Sequence, residues 1–342
     1  MSSESRESYR GKAEVYSFAS SDDESVRRRG FAERAKRLET HRADVGKKDP
    51  KKRVVRAEEE VYDDGSVKLK ITKPGPDIKR VHIVMVDNSG SNRAIAEHLR
   101  SSSGYLMETW RMLDPESQVA FIYFSDHCDG DGIIQEIDFV SPGEEGDRVL
   151  LSTLRHVRSV SGGDEAEAIE CAMVHACNID FAGVPEKHLY LVTDVVAHGM
   201  GMADDNGCPL QQDWRKSLRS VNETFTTFEV IGSGQSAEDS KLQEKFLNPA
   251  RLAWDLIDLS SIKEVEHRRA ITGNALLFLV ARRRGLQAVE LFLSFLYEKW
   301  LADPIFGSQT DRRAREMIER FGKYLEIEPD KLAALMNKVF GK

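Results

Sequence analysis

The stretch VHIVMVDNSGS, residues 81–91, runs an apolar segment straight into an acid and two hydroxyls. Val81, Ile83, Val84, Met85 and Val86 make the near-continuous apolar run expected of a central parallel strand covered on both faces. Strands of that kind bind ligands in the loops at their carboxyl ends. Asp87, Ser89 and Ser91 therefore fall where α/β folds hold things, and an acid with two hydroxyls suits a hard cation. Mg²⁺ and Mn²⁺ ask for about six oxygens in near-octahedral geometry and usually keep waters, so this turn alone is an incomplete shell. A plainer reading is that Asp87 and Ser89 cap the helix that follows, since both residue types are common N-caps.

Outward from this strand, helical and strand periodicities alternate. Arg93 to Leu113 reads as helix, Gln118 to Phe124 and Ile133 to Val140 as strands, Glu165 to Ala176 as helix and Lys187 to Thr193 as a buried strand. Residues 210–220, 224–231, 239–248 and 255–259 continue the rhythm. The pattern predicts an α/β fold, a doubly wound and mostly parallel Rossmann-like sheet with helices on both faces, over residues 77–260. Ahead of it, VVRAEEEVY and VKLKI flank Asp64-Gly65 as a β-hairpin within residues 54–76, closed by Pro74-Gly75-Pro76. Residues 1–53 are polar, with basic clusters at Arg27-Arg28-Arg29 and Lys51-Lys52-Arg53, and read as a largely disordered tail with one short helix near Phe31 to Leu38. Residues 261–342 carry helix periodicity throughout, broken at Pro304 and Pro329, and read as a helical extension. Within it Leu286, Val289, Phe292, Phe295 and Leu296 make a wide apolar face that requires cover.

With 342 residues, 31% charged and 40% hydrophobic, the chain has the composition of an ordinary globular protein with a substantial core. The longest apolar stretches, Ala275 to Ala281 and Leu291 to Tyr297, fall well short of the roughly 18 residues that cross a bilayer. The first residues lack the apolar segment of a signal peptide. A net charge of −8 argues against nucleic acid as a general partner. Cys128, Cys171, Cys177 and Cys208 form no CxxC pair and read as reduced thiols in the cytoplasm. His127 and Cys128 with His198 and Cys208 form a weak zinc pattern, because close ligand pairs are missing. The acids of Ser125 to Gly132 lack EF-hand spacing and read as a solvated turn rather than a calcium loop, and His198 reads as an exposed loop histidine.

Two later strand ends bear on the first turn. Ser161-Gly162-Gly163-Asp164-Glu165 opens the helix at 165–176, and LYLVTD ends on Thr193 and Asp194. With Asp-x-Ser-x-Ser at Asp87, Ser89 and Ser91, then an acidic second loop, then Asp194, residues 78–260 resemble the von Willebrand factor A domains. Their metal-ion-dependent adhesion site carries those three elements in that order. The commonest second element offers a Thr, which GGDEAEAIECAM lacks; Asp164 is the candidate ligand there and Glu167 the alternative, while helix capping is the plain reading of Asp164.

The resemblance implies a non-enzymatic binding module. A divalent ion, Mg²⁺ or else Mn²⁺ or Ca²⁺, would accept an Asp or Glu from a protein partner. Intracellular members of the family act as adaptors in multiprotein assemblies, some alongside AAA+ ATPases. Enzymatic readings find less support. A haloacid-dehalogenase phosphatase needs a second Asp where Ser89 stands, Ser89 lacks the G-x-S-x-G context of a hydrolase nucleophile, and no phosphate-binding glycine motif follows the strand. The remaining reading is a metal-free scaffold that interacts through its hairpin, tail or helical extension.

Overall fold

The computed structural model describes residues 58–61, 67–70, 74–75, 77–141, 144–154, 157–158, 160, 166–199, 207–233, 255–258 and 265–302, with 319, 330, 333, 334 and 337. The tail expected over 1–53, the helix expected at 239–248, and most of the extension beyond 302 lie outside the described residues. The chain divides into two units, Asp49–Leu279, and Met1–Lys48 with Val280–Lys342. The division falls inside a helix, later than the sequence boundary at 260.

The larger unit is built on a six-stranded sheet. Its strands are β3 (Arg80–Asp87), β4 (Ser117–Phe124), β5 (Ile134–Val140), β7 (Glu186–Thr193), β9 (Thr227–Gly232) and β10 (Asp255–Asp258), in the order β10-β9-β7-β3-β4-β5. Renumbered along the chain this is 3-2-1-4-5-6, the doubly wound order. All pairs are parallel except β4 with β5, so the sheet is mixed at one edge. A separate antiparallel pair, β1 (Glu58–Val61) with β2 (Val67–Lys70), brackets the Asp64-Gly65 turn. A third, two-stranded parallel sheet joins β6 (Ala166–Glu167) to β8 (Val196–Ala197).

The strand sequences explain the layering. Every residue of β3 and β4 is buried, as apolar and aromatic runs require when helices cover both faces. Alternate side chains then serve different layers. Ile83, Met85, Ala120 and Ile122 pack with Ile169, Ala172 and Met173 of α4 (Ile169–Cys177) and with Trp214, Leu218 and Val221 of α5 (Trp214–Thr224). On the other face His82 meets the edge of Trp110 from α2 (Ser103–Leu113) and stacks on His188 and Tyr190 of the neighbouring strand.

Two expectations need correction. The helix expected over Arg93 to Leu113 is two helices, α1 (Arg93–Ser101) and α2. Within the serine run 101–103, both the N–H and the hydroxyl of Ser102 donate to the His98 carbonyl, at 2.9 and 2.6 Å, and close α1 there. The helix expected from Glu165 begins only at Ile169, because Ala166 and Glu167 are drawn out to pair with Val196 and Ala197. Further along lie α3 (Glu144–Leu154), α6 (Val265–Arg283) and α7 (Leu286–Ala302). In α7 Val289, Phe292, Phe295 and Leu296 are buried, whereas Leu286 is exposed. No helix among the described residues is long and apolar enough to cross a membrane.

Candidate metal centre

In a 3-2-1-4-5-6 sheet the chain turns in opposite directions from the first and fourth strands, leaving a crevice at their carboxyl ends. Here those strands are β3 and β7, and their last residues are Asp87 and Thr193. The Thr193 hydroxyl donates to Asp87 Oδ2 at 2.9 Å, and the Ser89 N–H donates to Asp87 Oδ1 at 2.9 Å. The Ser89 and Ser91 hydroxyls lie 3.2 Å apart, and Ser91 Oγ donates to Asp194 Oδ1 at 3.2 Å. Asp87, Ser89, Ser91 and Asp194 are thus one cluster. Asn92 fixes the turn from beneath, donating to the Asp87 carbonyl and accepting from the Ser233 hydroxyl, both at 2.8 Å. The capping reading of this turn does not hold, because Asn92 is the N-cap of α1 and no side chain caps that helix end.

The second loop reaches the crevice through Glu167. The pairing of β6 with β8 sets it opposite Ala197, and the Ala168 N–H donates to the Ser125 carbonyl at 3.1 Å. Glu167 is buried, and its Oε2 has no hydrogen-bond partner among the described residues. Asp164 lies outside the described residues, and the N-cap of α4 is Ala168. Asp126, just past β4, is buried and adds its charge to the group.

Crowding of acids here is costly without a cation. Burial, then the Asp87 charge, pushes Glu167 up to about 9, and the Ser89 hydroxyl offsets only part of this. Burial and the same charge push Asp194 up to about 8. Asp87 is also raised by its burial, against hydrogen bonds from Ser89 and Thr193. Among the described residues none of the three carboxylates is ion-paired with Lys or Arg. An all-oxygen donor set, unpaired negative charge and one orphaned carboxylate oxygen together fit a hard divalent cation. Ser91 is exposed, so the cluster opens to solvent on that side.

A second group was hidden in the sequence. His127, Glu170, Cys171 and Cys208 bring four ligand atoms within 4.8 Å of one another. Of the weak zinc pattern, His127 and Cys208 are therefore together, while Cys128 is exposed and is not one of the four. His198 is buried rather than exposed, with Nε2 3.4 Å from Asp126 Oδ1 and its ring 4.9 Å from that of His127. The turn after Ser125 is a 3₁₀ helix (His127–Gly132), entered from buried Ser125 and Asp126, with His127 and Asp129 partly buried and Cys128 exposed. The signal that could have found this group is positional: His127 comes just after β4, and the Glu170-Cys171 pair just after β6.

No family model matches the sequence, and no curated protein matches it. Solved structures do resemble it in outline. The pilus adhesin SpaC from Lactobacillus rhamnosus GG matches over 63% of this chain and 32% of its own, at 14% identity and a TM-score of 0.44. The PilB minor pilin from Streptococcus sanguinis matches over 62% and 65%, at 11% identity and a TM-score of 0.38. Proximal thread matrix protein 1 from the mussel byssus matches over 63% and 48%, at 16% identity and a TM-score of 0.38. The chain thus spans about a third of the length of the adhesin and half that of the byssus protein.

Proposed function

We propose that this chain carries a von Willebrand factor A-type domain whose divalent cation, Mg²⁺ by preference and Mn²⁺ or Ca²⁺ otherwise, recruits an acidic side chain of a protein partner. Asp87, Ser89, Ser91, Asp194 and Glu167 hold the ion, with Thr193 orienting Asp87. Asp164, the first sequence candidate for the second loop, gives way in this reading to Glu167. The observation that carries the proposal is the convergence of Asp87, Glu167 and Asp194 at the switch point with no basic partner among the described residues.

The chemistry follows from that geometry. A hard ion held by few protein oxygens keeps water on its open side, and an incoming carboxylate displaces that water in a directional contact. Ser91, exposed at the mouth, marks the side of entry. The function is that of a non-catalytic adaptor in a cytoplasmic assembly, with AAA+ ATPases among the partners to be sought. A pull-down with the full chain, run in Mg²⁺ and repeated in EDTA, tests it. Partners retained in Mg²⁺ and lost in EDTA, and lost equally from Asp87→Ala, are the expected outcome. Partners that persist in EDTA and bind Asp87→Ala equally well would instead favour a metal-independent scaffold.

A further inference from the structure

We propose that His127, Glu170, Cys171 and Cys208 form a closed tetrahedral Zn²⁺ site, separate from the Asp87 cluster. The residues come from three places: the 3₁₀ turn after β4, the first turn of α4, and the loop ahead of α5. Five of the six spacings among their ligand atoms match the edges of one small tetrahedron, and all four atoms lie within 4.8 Å of one another. The two Sγ atoms are 3.5 Å apart, His127 Nε2 is 3.8 Å from Cys171 Sγ and 3.4 Å from Cys208 Sγ. Glu170 Oε1 lies 3.0 Å from that nitrogen and 3.7 Å from Cys171 Sγ.

Zinc bonds of about 2.3 Å to sulfur and about 2.0 Å to nitrogen or oxygen set edges of ~3.8 Å for S–S, ~3.5 Å for S–N and S–O, and ~3.3 Å for N–O. Every observed spacing lies within about 0.3 Å of its edge.

The donor types point the same way. Two thiols with an imidazole select a borderline-soft ion, in contrast to the all-oxygen cluster around Asp87. Both cysteines are free, and binding would release a proton from each as thiolates form. One outer contact holds a ligand in place. Glu170 Oε2 accepts the His198 backbone N–H at 3.2 Å, which turns Oε1 toward the other three ligands. The His127 Nδ1 has no hydrogen-bond partner among the described residues, leaving Nε2 as the nitrogen engaged in the group. With four protein ligands no position remains for a substrate, so the ion is structural. It ties the Cys208 loop and the His127 turn to the start of α4, whose Glu170 lies one turn beyond Glu167.

The test is elemental analysis of the full chain, purified under reducing conditions with zinc and then freed of excess, together with the absorption spectrum of the Co²⁺-substituted protein. One zinc per chain is expected, with intense red bands and a near-ultraviolet thiolate charge-transfer band for Co²⁺. Cys208→Ser and His127→Ala should lose both signals. Cys128→Ser and Asp87→Ala should keep them, which separates this site from the one proposed above. If Cys208→Ser fails to fold, the wild-type cobalt spectrum still decides. Wild-type protein without stoichiometric zinc, a pale cobalt spectrum without a thiolate band, or a Cys208→Ser variant that folds and retains zinc would overturn the proposal.

Discussion

Glu167 and Asp194 are the residues at which charge and geometry meet most directly. Both are buried beside Asp87, and without an ion each binds its proton far more tightly in the folded chain than in the unfolded one. A raised folded value means that stability is fully present below the unfolded values near 4 and is lost as pH climbs through about 8 for Asp194 and about 9 for Glu167. Thermal melts in EDTA should therefore fall steadily across that window, and saturating Mg²⁺ should flatten the fall. Melts that are flat in EDTA would contradict the assigned clustering. Glu167→Gln separates affinity from recruitment. Losing one ligand charge should weaken cation binding about 10- to 100-fold. The remaining shell is then less negative, so each bound ion should hold an acidic peptide more tightly; calorimetry with Mn²⁺, followed by peptide titration, measures both.

Among the elements, β3 and its neighbours were legible because a buried parallel strand writes its own signature, an unbroken apolar run ending on a polar turn. Asp87, Ser89, Ser91 and Asp194 could be read for the same reason, since each follows such a run. The two-residue strand β6 could not be read. Its extended form depends on pairing with Val196 and Ala197 thirty residues later, whereas the local pattern of GGDEAEAIECAM is helical. That local pattern is why the sequence alone favours Asp164 over Glu167 in the second loop, and Asp164 itself lies outside the described residues. Glu170 and Cys171 were concealed similarly, as ordinary residues of a helix, until tertiary packing brought His127 and Cys208 to them. The connection from β8 to α5 offers a test at this scale. Gly199 has φ +138°, and a Cβ there would lie 2.5 Å from Trp214 Cδ1 at the start of α5. Gly199→Ala should destabilise the chain by about 1–3 kcal/mol, through backbone strain and displacement of Trp214, as read by urea denaturation.

Across the larger unit the two ends of the sheet serve different purposes. At the amino end Arg80 grips Asp114 in a two-pronged pair, with Nε and Nη2 2.9 and 2.8 Å from its two oxygens. His82 adds a third contact at 3.1 Å and passes the chain of contacts to Tyr190 at 3.2 Å. Burial alone would raise Asp114, but its bonds to His82 and Arg80 hold it down to about 2. Its contribution is present above the unfolded value of 3.8 and disappears as pH falls through about 2, so acid unfolding should set in across that interval. Asp114→Ala strips buried Arg80 of its two-pronged partner, leaving it the 3.5 Å contact with Glu116, and should cost about 3–5 kcal/mol, measured by denaturant titration at neutral pH. This end holds the fold together, while the carboxyl end gathers acids that the fold itself does not neutralise. Isothermal calorimetry of Mg²⁺ and Mn²⁺ into the full chain, compared with Asp87→Ala and Asp194→Ala, tests that division most directly. Saturable heats in the wild type that vanish in both variants, while their far-ultraviolet circular dichroism is unchanged, are the predicted result. Equal heats in all three proteins would contradict it.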